Sequence, residues 1–139
     1  MTVSVIVVNW NGGELLSRCL AHLERQTVKA DKVFVVDNAS TDGSVDALAL
    51  EFPDIVLMRM TSNLGFAAGN NAAIAMADTD WVILLNPDAF AEPEWIERFL
   101  MAADANPLVS VFGCRQMQQA TPHLLDGIGD VYLMTGQVY

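Results

Sequence analysis

Residues 81–88 read Trp81-Val82-Ile83-Leu84-Leu85-Asn86-Pro87-Asp88. An unbroken apolar run meets two oxygen-bearing side chains separated by a proline. A short run of this kind predicts a strand buried on both faces, as in a parallel sheet. Pro87 has no N–H to give to a sheet ladder, so the strand is expected to stop there. Asn86 and Asp88 then emerge at the carboxyl edge of the sheet, the edge at which open α/β folds bind ligands. Carboxylate and amide oxygens suit a hard cation such as Mg²⁺ or Mn²⁺.

Other apolar runs of strand length lie at Val3–Val8, Val33–Val36, Ile55–Met58 and Val109–Phe112. Successive runs start 22 to 30 residues apart, which fits strand–helix–strand units of roughly 30 residues. The segments between them carry helical period. Leu15, Leu16, Cys19, Leu20 and Leu23 form one face, and Val45, Leu48 and Phe52 form another after Asp42-Gly43-Ser44. Phe66, Asn70, Ala73, Ile74 and Ala77 form a third, and Trp95, Ile96, Phe99, Leu100 and Ala103 a fourth. Pro93 suits the first turn of the fourth helix, and Asn106-Pro107 ends it. The expected fold is α/β, a Rossmann-like alternation of strands and helices around a mostly parallel central sheet with right-handed crossovers.

The chain has 139 residues, 53% of them hydrophobic, which suits a single compact domain over 1–139. No apolar stretch approaches the ~18–20 residues that span a bilayer, and the N-terminus does not read as a secretory signal. A cytoplasmic location is the expectation. Cys19 and Cys114 lack close metal-type spacing and read as small core residues. His22 and His123 read as structural or surface residues. The net charge is −10 with seven basic residues, a poor basis for binding nucleic acid. A phosphate ligand would need its repulsion offset by backbone N–H groups at a helix start or by a shared divalent cation.

In a parallel sheet the polar strand ends share one edge and converge on one crevice. They are Asn9-Trp10-Asn11-Gly12-Gly13, Asp37-Asn38-Ala39-Ser40, Thr61-Ser62-Asn63-Leu64-Gly65 and Asn86-Pro87-Asp88. Taken singly, each also reads as ordinary loop chemistry. Asn11-Gly12-Gly13 suits a turn, and Ser40 or Asp42 suits a helix cap. Trp10 is open between packing beside the site and touching a nucleotide. The helix after Gly65 is rich in small residues, which lets a backbone approach a sheet or ligand closely. Its glycine costs ~1 kcal/mol against alanine, and Asn70 and Asn71 imply polar work on that segment. No Gly-x-Gly-x-x-Gly follows the first strand and no phosphate-loop signature occurs.

Four stretches together resemble the family 2 glycosyltransferases, inverting enzymes with the GT-A nucleotide-sugar-binding fold, and most closely their rhamnosyltransferase-like branch. They are Val5–Gly12, Val35–Ser44, Asn63–Asn71 and Leu84–Asp88, in the family's order, and the likeness covers about residues 3–112. The resemblance implies a donor site built from Asn9, Trp10, Asn11, Asp37, Asn38, Asn63, Gly65, Asn70 and Asn86. Asn9 and Asn11 would lie beside the base or ribose, and Asp37 would accept a hydrogen bond from the base. Gly65 and Asn70 would line the donor pocket. Asn86-Pro87-Asp88 takes the place of the family's Asp-x-Asp metal motif, leaving Asp88 as the only carboxylate there for Mg²⁺ or Mn²⁺.

The resemblance further implies a donor of the UDP- or dTDP-sugar type, a saccharide or lipid-linked acceptor, and a role in cell-surface polysaccharide synthesis, peripheral to the inner membrane face. In the family the general base lies beyond the fifth strand, so it is expected beyond Tyr139. Asp126 and Asp130 are the only late acids within the chain. Residues 113–139 are expected to begin the acceptor side of a longer enzyme, and the apolar surface of a partial fold predicts self-association. Two other readings stand beside this one. A nucleotide-binding module without catalysis fits the missing base. A sugar nucleotidyltransferase would need a basic Gly-rich loop, which Asn11-Gly12-Gly13-Glu14 is not.

Overall fold

The computed structural model describes residues 1–118, 120–121 and 123–127. The chain divides into two compact units, Met1–Ala102 and Ala103–Tyr139. The first holds β1 (Val3–Asn9), α1 (Gly13–Glu24), β2 (Lys32–Asp37), α2 (Leu48–Glu51), β3 (Val56–Arg59), α3 (Gly65–Ile74) and β4 (Trp81–Leu85). α4 (Trp95–Ala105) begins in it. The second holds a short antiparallel pair, β5 (Gln116–Met117) and β6 (Leu125–Gly127).

The four long strands form one sheet in the order β3-β2-β1-β4, parallel throughout. β1 is central and every one of its residues is buried. Its alternate side chains feed two cores, as the two-residue period of a strand requires. Val3, Val5 and Val7 pack with Leu16, Leu20, Leu48 and Ile96 on one face. Ile6 and Val8 pack with Phe34, Val36 and Ala73 on the other. Each such side chain, fully buried, contributes roughly 1.5–3 kcal/mol. Buried Ser4 is satisfied by the Thr79 hydroxyl at 2.8 Å.

α3 lies against the second face because Gly69 has no Cβ. One placed there would stand 3.0 Å from Val8 Cγ1 and 3.3 Å from Val8 Cγ2. Gln26 joins α1 to α4. Its amide donates to the Glu92 carbonyl at 2.7 Å, and its Oε1 accepts the Ile96 N–H of the first α4 turn at 3.0 Å. Pro93 lies in the turn just ahead of that helix.

Three expectations are corrected. Val109–Phe112 is not a strand: the Val109 N–H closes a turn onto the Asn106 carbonyl at 2.9 Å, and Leu108 and Val111 are almost fully exposed. Apolar composition alone does not make a strand without a ladder to join. The second helix is a single turn, although Val45, Leu48 and Phe52 are all buried as their period implies. The preceding loop occupies its other residues, and Pro53 follows at once. Cys19 is buried, but Cys114 is exposed.

The strand ends lie level. Asn9 stands opposite Asp37, and Asp37 opposite Arg59. The register therefore brings the polar residues after β1, β2 and β3 to one edge, and β4 delivers Asn86-Pro87-Asp88 beside β1.

Candidate functional site

A cavity of about 360 Å³ opens at this edge, lined by Val8, Trp10, Asn38, Asn63, Gly65, Phe66 and Pro87. Trp10 is 60% and Phe66 54% exposed. Large aromatic faces left in solvent beside a cleft are surfaces on which a flat ring can stack. Among the described residues no Lys or Arg lines the cavity.

Beneath it runs a network of hydrogen bonds centred on Asn9, whose side chain has no exposure. Its Nδ2 donates toward Asp37 Oδ1 at 3.3 Å and toward the Ser40 and Ser44 hydroxyls, both at 3.0 Å. Its Oδ1 accepts the Gly12 N–H at 3.2 Å. Asn11 ties the same loops from above: its N–H donates to Ser40 Oγ and its Oδ1 accepts the Thr41 N–H. Asn11 and Ala39 both have positive φ, 53° and 58°. For Ala39 that conformation costs roughly 1–2 kcal/mol. Such strain persists where surrounding contacts over-determine it, as in functional loops.

At the start of α1 a carboxylate of the chain itself takes one backbone N–H group. The Gly13 N–H donates to Asp42 Oδ2 at 2.9 Å, and the Ser44 N–H to Asp42 Oδ1 at 3.0 Å. Hydrogen bonds from Ser44, and then from Gly13, hold the Asp42 carboxyl below the usual carboxylate range. The stability this contributes is present above the unfolded-state value and is lost as pH falls through the folded one. Asp42→Asn is therefore expected to flatten the acid limb of a melting-temperature profile below about pH 4. An unchanged acid limb would remove Asp42 from this role.

On the α3 side, Asn38 Nδ2 donates to the Gly65 carbonyl at 3.1 Å, and Asn63 Oδ1 accepts the Gly65 N–H at 2.8 Å. Gly65, at φ 82°, supplies the left-handed turn that starts the helix. Asn70 is buried and donates to its own helix at Phe66 O, 3.0 Å away. The Oδ1 atoms of Asn38 and Asn70 are buried without a protein partner.

Asn86 and Asp88 are both exposed just past β4. The Asn86 carbonyl accepts the Ala89 N–H at 3.1 Å and the Cys19 thiol at 3.6 Å. Burial, and secondarily the negative charge of Asp88, push the Cys19 thiol up to about 12. Since the thiolate is the reactive form, Cys19 is expected to stay unmodified by iodoacetamide at pH 8 until the protein is unfolded. Mass spectrometry of digests taken before and after denaturation checks this. Among the described residues no three His, Cys, Asp or Glu side chains gather as a metal cage. One carboxylate beside an amide still fits an ion of the Mg²⁺ or Mn²⁺ type, which keeps waters and shares its shell with phosphate oxygens.

Trp10, Asn38, Asn63 and Gly65 thus line the cavity. Asn9, Asp37 and Asn70 lie buried, Asn11 braces the loops, and Asn86 and Asp88 follow β4. The backbone of Asp126 belongs to β6, and Asp130 lies outside the described residues. Val8, Phe66 and Pro87 complete the lining and were not among the expected site residues. Helical period assigned Phe66 to the packed face of α3, but its place at the first turn leaves the ring in the cleft. Ser40, Ser44 and Asp42 also gained roles that only tertiary contact reveals.

Several known proteins share this architecture. The chain is 32% identical to N-acetylglucosaminyl-diphospho-decaprenol L-rhamnosyltransferase of Mycobacterium tuberculosis over 92% of its own length and 43% of that protein's. It therefore spans less than half the length of that relative. The mannosyltransferase PcManGT of Pyrobaculum calidifontis, solved with GDP-Man and Mn²⁺, superposes with a TM-score of 0.66 at 28% identity, covering 84% of this chain and 35% of that one. S. aureus TarS 1-349, solved with UDP, superposes with a TM-score of 0.67 over 77% of this chain and 33% of that one, and at 23% identity speaks for the fold alone. The four-stranded parallel sheet is that of the GT-A glycosyltransferases. Residues 4–125 match the sequence profile of glycosyl transferase family 2, and with that match the chain takes its place as a member of that family.

Proposed function

We propose that the chain is the donor-binding portion of an inverting glycosyltransferase that passes a sugar from a nucleoside-diphosphate sugar to an acceptor hydroxyl in cell-surface polysaccharide synthesis. The observation that carries this reading is the cleft itself: two exposed aromatic rings flank a cavity at the strand ends, and Asp88 follows the strand beside it. The base stacks against Trp10 and Phe66, with Asp37 available to accept a hydrogen bond from it. Asn63 and Asn38 fix the turn at Gly65 that bounds the cleft. Asp88, with the Asn86 amide as neutral neighbour, would hold Mg²⁺ or Mn²⁺ against the diphosphate. When bound, that ion supplies the positive charge that stabilises the departing nucleoside diphosphate. Among the described residues the lining offers no cation, and the Gly13 N–H at the start of α1 is taken by Asp42. The GDP-Man and Mn²⁺ of PcManGT support this donor class and metal.

A base must remove the acceptor proton, and among the described residues no carboxylate or histidine lines the cavity. That observation favours the second reading, a nucleotide-binding module without turnover, for the chain as it stands. The diphospho-decaprenol acceptor named for the mycobacterial relative supports a lipid-linked saccharide acceptor and action at the membrane face. No helix among the described residues is long and apolar enough to cross a membrane.

Calorimetric titration with UDP, dTDP and GDP, with and without Mn²⁺, tests the proposal. At least one nucleotide is expected to bind, and to bind more tightly with the metal. Donor-sugar hydrolysis assayed in parallel separates the readings, since binding without turnover supports the module. A folded chain that binds none of the three contradicts both.

A further inference from the structure

Asn9 was expected beside the nucleotide, yet it has no exposed surface and does not line the cavity. Its amide is oriented by its partners. The NH₂ group faces only oxygen acceptors, Asp37 Oδ1 and the Ser40 and Ser44 hydroxyls. The Oδ1 atom faces a donor, the Gly12 N–H. Turning the amide over would set its oxygen against the Asp37 carboxylate and its NH₂ against an N–H, so one orientation holds. Asp37, in turn, is 3% exposed, and the oxygen that meets Asn9 also takes the Ser40 N–H at 3.4 Å. Fixing one oxygen of a carboxylate fixes the plane of the group and the direction of the other oxygen. Neither residue lines the cavity, but Asp37 keeps a sliver of accessible surface where Asn9 keeps none.

We infer that Asn9 is a positioning residue that sets the Asp37 carboxylate for the nucleotide and acts on binding only through it. This inference rests on the donor site proposed above. Asn9 also ties that carboxylate to the turn at Gly12 and to the loop carrying Ser40 and Ser44, so the strand ends are set as one unit.

A double-mutant cycle on UDP affinity in Mn²⁺ tests it. Asn9→Thr suits a strand and keeps an oxygen for the Gly12 N–H, but loses the NH₂ that meets Asp37. Asn9→Ser serves the same cycle where the extra methyl group does not fit. Asn9→Thr is expected to weaken UDP binding about tenfold, the effect of losing one hydrogen bond to a charged group. Asp37→Asn is expected to weaken it at least as much, and the double variant to match Asp37→Asn within twofold. Ser44→Ala, which removes a different partner of the amide, is expected to lower Tm while leaving affinity within twofold of the parent. Additive losses would make Asn9 a direct contact and overturn the inference. It is equally overturned by parental affinity in Asn9→Thr or in Asp37→Asn, or by a loss in Ser44→Ala as large as in Asn9→Thr. A folded parent protein that binds none of UDP, dTDP and GDP overturns the donor site itself, a result distinct from any of these, and where dTDP or GDP binds in place of UDP the cycle is read on that nucleotide.

Discussion

Asp88→Ala is expected to weaken binding of a nucleoside diphosphate in the presence of Mn²⁺ by about 30-fold or more, on the order of 2 kcal/mol. The protein carries a net charge of −10, and among the described residues no Lys or Arg lines the cavity. One N–H group at the start of α1, that of Gly13, already holds Asp42. The diphosphate therefore depends on a cation, and Asp88 is the one carboxylate in the segment placed to hold it. Asp88→Asn should behave nearly as badly, because an amide brings an oxygen but no charge. Without metal, parent and variants should bind alike and weakly. Equal affinity of parent and Asp88→Ala in Mn²⁺ would remove the ion from this segment. Since Asp88 is exposed, Tm should change little, which separates loss of binding from loss of fold.

Gly12→Ala is expected to destabilise the protein by about 2–3 kcal/mol, the scale of forcing a group into a filled interior. A Cβ at Gly12 would stand 2.3 Å from Asn9 Oδ1. Asn9 cannot swing aside, because its amide is buried and engaged with Asp37, Ser40 and Ser44. Gly65→Ala is the control. It sits at φ 82° with nothing within 4 Å of the added carbon, so it pays only the left-handed backbone cost of roughly 1–2 kcal/mol. Urea denaturation of both variants measures the difference. A Gly12→Ala protein as stable as the parent would mean that the Asn9 network is not rigid.

The strands were legible because each is a short apolar run followed by a polar loop, although full burial on both faces holds for β1 and not for the edge strand β4, whose Leu84 is 47% exposed. Trp81–Leu85 was read correctly to the residue. Val109–Phe112 carried the same composition and failed, because strand formation depends on a partner ladder that composition does not record. The helix of Val45, Leu48 and Phe52 was correctly read as buried, but the turn chemistry before it and Pro53 after it cut it to one turn. The gathering of polar strand ends at one edge follows from the parallel order, so the edge at which the cavity opens was legible as well. The division of labour within it was not. Asn9 and Ser44 are 35 residues apart, and nothing local to either marks one as buried hub and the other as its partner. Phe66 satisfied a helical period that pointed to the core, yet the first turn of α3 sits where the sheet ends.

The most direct measurement is a crystal structure of the protein grown with UDP and Mn²⁺. The account predicts the base in the cleft between Trp10 and Phe66, and the metal bound by Asp88 and in contact with the diphosphate. A nucleotide seated instead at the start of α1, with Asp42 displaced from the Gly13 N–H, would contradict it, as would a bound diphosphate with no metal at Asp88.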